Sequence, residues 1–371
     1  MRSLTLLLLF APICAALNDS EKIVSCYTRH NSPFPSQIDP FLCTHLLVIG
    51  STHINANCTP DMPDERQIES FVALKLNNSD LKVFLSLTPS NPTMSRLVLN
   101  KDLLDAYVAN VTEYLVENEL DGFDIDWEFP VWSSDAKPTD KQGLNALVKA
   151  FRKSFDSASR PLQLSLAVSG PFTIAKVAYD IPALNEYLDF VQIMNYDFHD
   201  YSSTTPFTGF NAPLNALRYE FSILRKFNSN YSAHYYRSKG LSPEKCVFGI
   251  PTYGHGYQLL AEGLHFPYAP ATGESKRFGG DLGFDEVCAA LNSNKYTSVW
   301  SEHAKSPYFY GEKQWVSYED VRSVSAKAQY ARDEGFRGIM IFDLPTDDFE
   351  GKCGLGEYPL IRAAKKAFLG V

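Results

Sequence analysis

The sequence predicts an α/β fold, namely a (β/α)8 barrel (TIM barrel) with a small α+β insertion between its seventh and eighth strands. Eight short apolar segments alternate with longer segments of helical periodicity along the 371 residues. The apolar segments lack the polar alternation of half-exposed strands, so we expect them to be covered on both faces. A hydrophobic content of 45% suits one large barrel core.

The candidate strands are rich in Val, Ile, Leu and Phe. In chain order they are Ile23–Tyr27, His45–Ile49, Lys82–Leu87, Gly122–Glu128, Gln163–Val168, Asp189–Tyr196, Cys246–Thr252 and Gly338–Leu344. Between them, apolar residues recur at three- and four-residue steps, as in Leu104, Tyr107, Val108 and Val111, which predicts helices. A doubly wound open sheet is the alternative, but no Gly-rich phosphate loop follows the first strand.

One interval is too long for a single strand-to-helix connection. It runs from Tyr253 to Arg337 and contains aromatic and Gly-rich segments. We expect an inserted subdomain at about residues 258–320, before a helix at Val321–Glu334. The remainder of residues 17–371 is expected to form one barrel domain.

Residues 1–16 have the pattern of a secretory signal peptide. One early basic residue precedes an apolar run at Leu4–Phe10 and then small residues. An uncleaved anchor is the alternative, but the run is too short to span a bilayer. The sequence therefore predicts a secreted protein, for which five Asn-x-Ser/Thr sequons suggest glycosylation: Asn18, Asn57, Asn77, Asn110 and Asn230.

The net charge and the cysteine content restrict which partners and metal ions the sequence predicts. A net charge of −9 and the lack of a Lys/Arg run argue against nucleic acid or an anionic membrane. Without Cys14 six cysteines remain, an even number that suggests disulfides without choosing their pairing. The spacing of these cysteines is not that of a structural zinc site, so we expect no metal ion. We also expect no cofactor and a monomeric protein.

The most informative segment runs from Asp121 to Pro130 and reads DGFDIDWEFP. Residues two apart in a strand share a face, so the side chains of Asp124, Asp126 and Glu128 are expected to point to the same side of the sheet. Neighbouring buried carboxylates repel one another and lose hydration, which costs stability and suggests a chemical role.

Three interpretations of these carboxylates compete. A polar strand on a solvated edge fits poorly with the apolar flanks. A divalent-metal site is possible, but the spacing lacks the glycine turn of a calcium loop. Carbohydrate chemistry is favoured, because a carboxyl with a raised pKa can protonate a leaving oxygen.

Asp121, Asp124, Asp126 and Glu128 form the D-x-x-D-x-D-x-E signature, and the chain thereby resembles the family 18 glycoside hydrolases, which include chitinases and chitinase-like lectins. Further blocks resemble the family in the same order: residues 39–45, 194–197, 249–254 and 347–349. The resemblance implies a (β/α)8 barrel with an α+β insertion before the last strand.

The resemblance also implies a substrate-assisted retaining mechanism on β-1,4-linked N-acetylglucosamine glycans. Glu128 would protonate the glycosidic oxygen, and Asp126 would orient the substrate's acetamido group while sharing a proton with Asp124. Tyr196 would hydrogen-bond the acetamido oxygen. Implied substrate-binding residues are Tyr27, Met194, Asp197, His255 and Phe342. Implied disulfides are Cys26–Cys43 and Cys288–Cys353, leaving Cys58 and Cys246.

Several sugar-binding positions depart from the family pattern. Phe342 stands for the usual tryptophan of the last strand, Thr88-Pro89 for a Gly-Gly pair, and His255 for arginine. Histidine is expected to titrate near neutral pH, where arginine stays charged. The loop from Thr28 to Gln37 lacks the usual tryptophan. A secreted chitin-oligosaccharide-binding lectin with little or no hydrolase activity is therefore the second hypothesis.

Overall fold

The computed structural model describes residues 22–371. The predicted signal peptide at residues 1–16, Cys14 and the sequon at Asn18 lie outside these residues. Within residues 22–371, no helix is long and apolar enough to cross a bilayer.

The described residues form strands and helices in the following order. The strands are β1 Ile23–Arg29, β2 His45–Ile54, β3 Pro60–Asp61, β4 Lys82–Leu87, β5 Gly122–Ile125, β6 Gln163–Ser169, β7 Phe190–Met194, β8 Cys246–Pro251, β9 Gly254–Leu259, β10 Ala271–Glu274, β11 Asp281–Leu282, β12 Thr297–Ser301, β13 Ser306–Gly311, β14 Gln314–Ser317 and β15 Gly338–Phe342. The α-helices are α1 Glu65–Val72, α2 Asn91–Leu99, α3 Lys101–Glu117, α4 Asp140–Asp156, α5 Phe172–Ala178, α6 Ile181–Tyr187, α7 Ser229–Ser238, α8 Phe284–Asn292, α9 Val321–Asp333 and α10 Pro359–Leu369.

Eight parallel strands close into a barrel in the order β1, β2, β4, β5, β6, β7, β8, β15. The closure is direct: Ser25 of β1 pairs with His45 of β2 on one side and with Met340 of β15 on the other. All eight predicted strands are thus confirmed, and so is the fold class. The fourth barrel strand, β5, ends at Ile125, three residues before the predicted end at Glu128.

Alternate residues of the barrel strands fill two separate layers. Phe123, Ile125 and Trp127 are buried among the helices that surround the barrel. Side chains of the opposite parity, including Phe84 and Phe190, fill the barrel interior. The predicted face pattern of the carboxylate segment therefore holds, and Asp124, Asp126 and Glu128 point to the barrel interior or its mouth.

The insertion consists of helix α8 and a sheet ordered β10, β9, β14, β13, β12, with β11 paired to β9. All these pairings are antiparallel. The sheet starts at Gly254, earlier than the expected residue 258, because only two residues separate β9 from the barrel strand β8. The insertion ends at Ser317, before the predicted helix that the structure has as α9.

Two disulfides join Cys26 to Cys43 and Cys288 to Cys353, as the resemblance implies. The first links β1 to the segment before β2, and the second links α8 of the insertion to the segment after β15. Cys58 and Cys246 are free and buried.

Candidate active site

Asp124 lies at the centre of the barrel and accepts four hydrogen bonds. Its Oδ2 accepts from the hydroxyls of Tyr27 (2.7 Å) and Ser86 (2.7 Å). Its Oδ1 accepts from Ser165 (2.5 Å) and from Nε2 of Gln192 (3.0 Å). Burial raises the pKa of Asp124, and these hydrogen bonds oppose that shift. The donors come from β1, β4, β6 and β7, so the barrel itself fixes this carboxyl.

Asp126 lies two residues after Asp124, on the same face of the segment and nearer to the mouth of the barrel. Burial raises its pKa well above the ordinary value, and the charges of Glu128 and Asp124 add to this shift. Proton sharing between Asp126 and Asp124 stays a prediction, and the four hydrogen bonds that Asp124 accepts come from other residues. Glu128 is the carboxyl that affects Asp126 most.

The carboxyl of Asp126 contacts Thr88 and Glu128. Oδ2 accepts a long hydrogen bond of 3.4 Å from Thr88, the residue that stands for a glycine of the family pattern. Oδ1 is buried and accepts no hydrogen bond from an N–H or hydroxyl group of residues 22–371. A hydrogen bond between the carboxyls of Asp126 and Glu128 raises the pKa of Asp126 and opposes the rise in the pKa of Glu128. The two carboxyls therefore form one interacting pair.

Glu128 follows β5 and reaches solvent through a pocket of about 290 Å³. Burial raises its pKa, Asp197 raises it further, and Asp126 opposes the shift. Glu128 therefore keeps its proton to a higher pH than an ordinary glutamate. The pocket is also lined by Phe129, Ser169, Gly170, Pro171, Ile174, Met194, Tyr196, Asp197, Tyr253 and Phe342. These residues lie at or beyond the C-terminal ends of the strands, where barrel active sites form.

Aromatic rings form one wall of this pocket. The ring of Phe342 lies 5.4 Å from that of Tyr27, 5.8 Å from Tyr196 and 6.2 Å from Tyr253. Tyr196 is buried and its hydroxyl approaches the sulfur of Met340 at 3.8 Å. Tyr27, an implied substrate contact, is buried beneath Phe342 with its hydroxyl on Asp124. The structure therefore places Tyr27 as a support for Asp124.

Met194 is the last residue of β7, and its carbonyl group lies close to Gly170 in the loop after β6. A Cβ at Gly170 would lie 2.1 Å from the carbonyl oxygen of Met194. Only glycine therefore leaves room for the loop after β6 to pack on β7 at this edge of the pocket.

His255 bridges two carboxylates at the edge of the pocket. Its Nε2 lies 2.8 Å from Oδ1 of Asp197, and its Nδ1 lies 2.9 Å from Oδ1 of Asp281. Burial alone would lower the pKa of His255, but the hydrogen bonds to Asp197 and Asp281 raise it to about 10. The expectation that His255 titrates near neutral pH is wrong: it stays charged, as arginine would.

The charge of His255 makes stability depend on pH. The folded protein holds this proton more tightly than the unfolded chain, whose histidine pKa is 6.5. The stabilisation is therefore complete below pH 6.5 and disappears as the pH rises towards 10. We expect His255→Gln to lower the free energy of unfolding at the acidic end of this pH range. The loss should be only about 1–3 kcal/mol, because the side chains of Asp197 and Asp281 are more than half exposed and solvent screens their charges.

Urea unfolding of wild type and His255→Gln across this pH range tests the prediction. The two curves should converge near pH 10. His53→Gln, at an exposed histidine outside the cluster, is the control. A difference between His255→Gln and wild type that stays constant with pH would contradict the assignment of a raised pKa.

A larger cleft of about 690 Å³ adjoins the pocket and shares Asp197, Tyr253 and Phe342 with it. It extends along the insertion and is also lined by Arg29, Asp200, Tyr201, His255, Gly256, Glu274, Gly280, Asp281, Leu282, Gly283, Glu286, Asp343 and Thr346. The pocket and the cleft together give an elongated site, open to solvent, that suits a linear chain.

Sequence reasoning missed several residues of this site. The hydroxyl of Tyr253 donates to Asp197 at 2.5 Å, and the ring of Tyr253 lines both cavities. Arg29 pairs with Asp343 at 3.3 Å at the far side of the cleft. Tyr253 lies within the family block at residues 249–254 and could have been found there. No sequence signal connects Arg29 with Asp343.

The chemistry available to this site is proton transfer. Glu128 is a solvent-accessible carboxyl with a raised pKa, and the buried carboxyl of Asp126 is hydrogen-bonded to it. Within residues 22–371, no group of three His, Cys, Asp or Glu side chains is arranged to hold a metal ion.

Comparison with known proteins agrees with this geometry. The family model "Glycosyl hydrolases family 18" matches residues 23–347. Chitotriosidase-1 of Mus musculus is 31% identical over 349 residues, which cover 90% of this chain and 73% of that protein. Probable chitinase 10 of Drosophila melanogaster is 31% identical over 382 residues, which cover 96% of this chain but only 16% of that longer protein.

Solved structures of a chitinase and of a pseudo-chitinase share the fold. The Group IV chitinase of Ostrinia furnacalis in complex with allosamidin has a TM-score of 0.86 and 31% identity, covering 93% of this chain and 98% of that one. Human YKL-39, a pseudo-chitinase with retained chitooligosaccharide binding, has a TM-score of 0.86 and 28% identity, covering 94% and 100%. The chain belongs to family 18 of the glycosyl hydrolases, a family of chitinases and chitinase-like proteins.

Proposed function

We propose that this protein is a secreted chitinase-type glycoside hydrolase that cleaves β-1,4-linked N-acetylglucosamine glycans by substrate-assisted retaining catalysis. The observation that carries the proposal is the pair of adjacent carboxyls: Glu128 reaches the pocket with a raised pKa, and it is hydrogen-bonded to the buried carboxyl of Asp126.

In the proposed reaction Glu128 donates its proton to the glycosidic oxygen as the leaving sugar departs. The acetamido oxygen of the substrate attacks the anomeric carbon, so no protein nucleophile is needed. Asp126 exchanges its hydrogen bond with Glu128 for one from the acetamido N–H, which favours the cyclic intermediate. Tyr196 donates to the acetamido oxygen, and Glu128, now a carboxylate, activates the water that opens the ring.

Substrate contacts are assigned to the rim and wall of the pocket. Phe342 offers an apolar face to a sugar ring, although a smaller one than tryptophan. Asp197, held by Tyr253 and the charged His255, accepts hydrogen bonds from sugar hydroxyls, and Met194 packs at the pocket edge. Two disulfides support export, together with the signal-like residues 1–16.

A chitooligosaccharide-binding lectin is the alternative, and specific observations favour it. Phe342 and Thr88-Pro89 both depart from the family pattern beside the carboxyls. Human YKL-39 has the same fold and is a pseudo-chitinase that retains oligosaccharide binding. Against the lectin stands Glu128 itself, since the proton donor is present with a raised pKa.

Hydrolysis of a chromogenic N-acetylglucosamine oligomer by the purified protein tests the proposal. We expect chromophore release, and calorimetric titration of an uncleaved analogue should show binding in the same cleft. Binding without release would support the lectin. Neither binding nor release would reject both functions.

A further inference from the structure

The segment at residues 217–228, between β7 and α7, exposes its apolar side chains and buries its acidic one. Tyr219, Phe221, Ile223 and Leu224 are 58%, 74%, 49% and 37% exposed, whereas Glu220 is only 7% exposed. Folded proteins bury large apolar side chains and expose carboxylates, so this distribution is the reverse of the usual one. The four exposed side chains are here called the apolar tip. Contiguous apolar surface of this kind marks an interaction site.

Contacts at both ends hold the apolar tip towards solvent. The carboxylate of Glu220 accepts hydrogen bonds from the backbone N–H of Leu217 (3.0 Å) and from the hydroxyl of Tyr268 in the insertion (2.6 Å). At the other end, Nδ2 of Asn228 donates to the carbonyl oxygen of Arg225 (2.9 Å). The segment is therefore tied to the insertion at one end and closed by its own hydrogen bond at the other.

The same segment is basic, although the chain is acidic. Residues 201–233 contain Arg218, Arg225 and Lys226 but only one acidic residue, Glu220, whereas the whole chain has a net charge of −9. Arg218 and Arg225 are exposed, and their guanidinium groups form no ion pair or hydrogen bond within residues 22–371. Because no carboxylate neutralises these two charges, they attract an anionic surface.

The size of the apolar tip restricts what covers it. Four side chains at these exposures present about 400 Å² of surface. A stable contact between two folded proteins buries about 800 Å² on each partner, which is twice that area. A lipid surface has no such minimum area, because a few apolar side chains enter the headgroup region while neighbouring cations attract anionic lipids. Area and charge together favour an anionic lipid surface.

We propose that the segment at residues 217–228 docks this protein on an anionic phospholipid surface. The apolar tip enters the boundary between headgroups and acyl chains, and Arg218 and Arg225 contact lipid phosphates. The net charge of −9 disfavours such a surface for the chain as a whole, so binding requires this segment to face the lipid and weakens with salt. None of residues 217–228 lines the pocket or the cleft, so docking leaves both open.

Flotation of the full chain with phospholipid vesicles tests the proposal. Vesicles of phosphatidylcholine with about one third phosphatidylserine are compared with vesicles of phosphatidylcholine alone, at low and at high salt. We expect binding to the anionic vesicles at low salt, weakened about tenfold by Phe221→Ala and about fivefold by Arg225→Gln. Phe41→Ala and Arg66→Gln, at an exposed phenylalanine and an exposed arginine outside the segment, should leave binding unchanged.

Three outcomes overturn the proposal. The first is a wild type that does not float with anionic vesicles at low salt, and the second is equal binding by wild type and Phe221→Ala. The third is self-association of the wild type that Phe221→Ala abolishes, measured by analytical ultracentrifugation, which would identify a contact between copies of this chain instead. Phe221→Ala should hydrolyse N-acetylglucosamine oligomers at the wild-type rate, so lipid docking and the proposed function fail or stand independently.

Discussion

Glu128→Gln is expected to lower the hydrolysis of N-acetylglucosamine oligomers by at least about 10²–10⁴-fold, to the limit of detection. Glutamine has nearly the shape of glutamate and can hydrogen-bond the glycosidic oxygen, but it cannot give that oxygen a proton. The pocket around it is unchanged, so the dissociation constant for oligomers should stay within a factor of about three. Initial rates and calorimetric titration measure the two quantities.

The pH dependence of the wild type adds an independent check. The acid form of Glu128 is the active form, and its raised pKa keeps that form populated at higher pH than for an ordinary glutamate. Activity should therefore fall as the pH rises through the apparent pKa that Glu128 shares with Asp126. Cleavage by Glu128→Gln at the wild-type rate would show that another group supplies the proton.

Asp126→Asn is expected to lower kcat by about 10²–10³-fold with little change in KM. Asparagine cannot ionise, so the positive charge that develops on the acetamido group loses the carboxyl group of Asp126 as its partner. Because this charge exists only after attack begins, the loss should appear in kcat.

Asp121→Asn is the matched control for Asp126→Asn. Asp121 is a buried acid of the same segment, and it pairs with Lys75 at 2.8 Å and Arg160 at 3.2 Å, before β5 begins. Its loss should lower the free energy of unfolding while leaving kcat unchanged. Equal kcat losses in both variants would indicate a general structural effect and contradict the role of Asp126.

The fold was predictable because its signals are local. Each barrel strand is a short apolar segment, and the alternation of Phe123 and Ile125 with Asp124 and Asp126 assigns each set to its layer. The carboxylate segment also predicted where Glu128 would lie, because a two-residue period continues to the mouth of the barrel. The disulfides followed from the family resemblance, since six cysteines alone allow many pairings.

The electrostatic state of the site depended on contacts between distant segments. His255 is charged because it is hydrogen-bonded to Asp197 and to Asp281, and Asp281 lies directly opposite it because β11 pairs with β9. Arg29 meets Asp343 because barrel closure pairs β1 with β15. Neither contact has a spacing or periodicity that a single sequence reveals.

The most direct measurement is a proton NMR time course of the wild-type protein with an N-acetylglucosamine oligomer, following the anomeric signals of new reducing ends. Substrate-assisted catalysis with Glu128 as the acid involves two displacements at the anomeric carbon, so it retains configuration. The β-anomer should therefore appear first and convert slowly to the equilibrium mixture. Initial formation of the α-anomer, or no new reducing end with an oligomer that binds, would contradict the account.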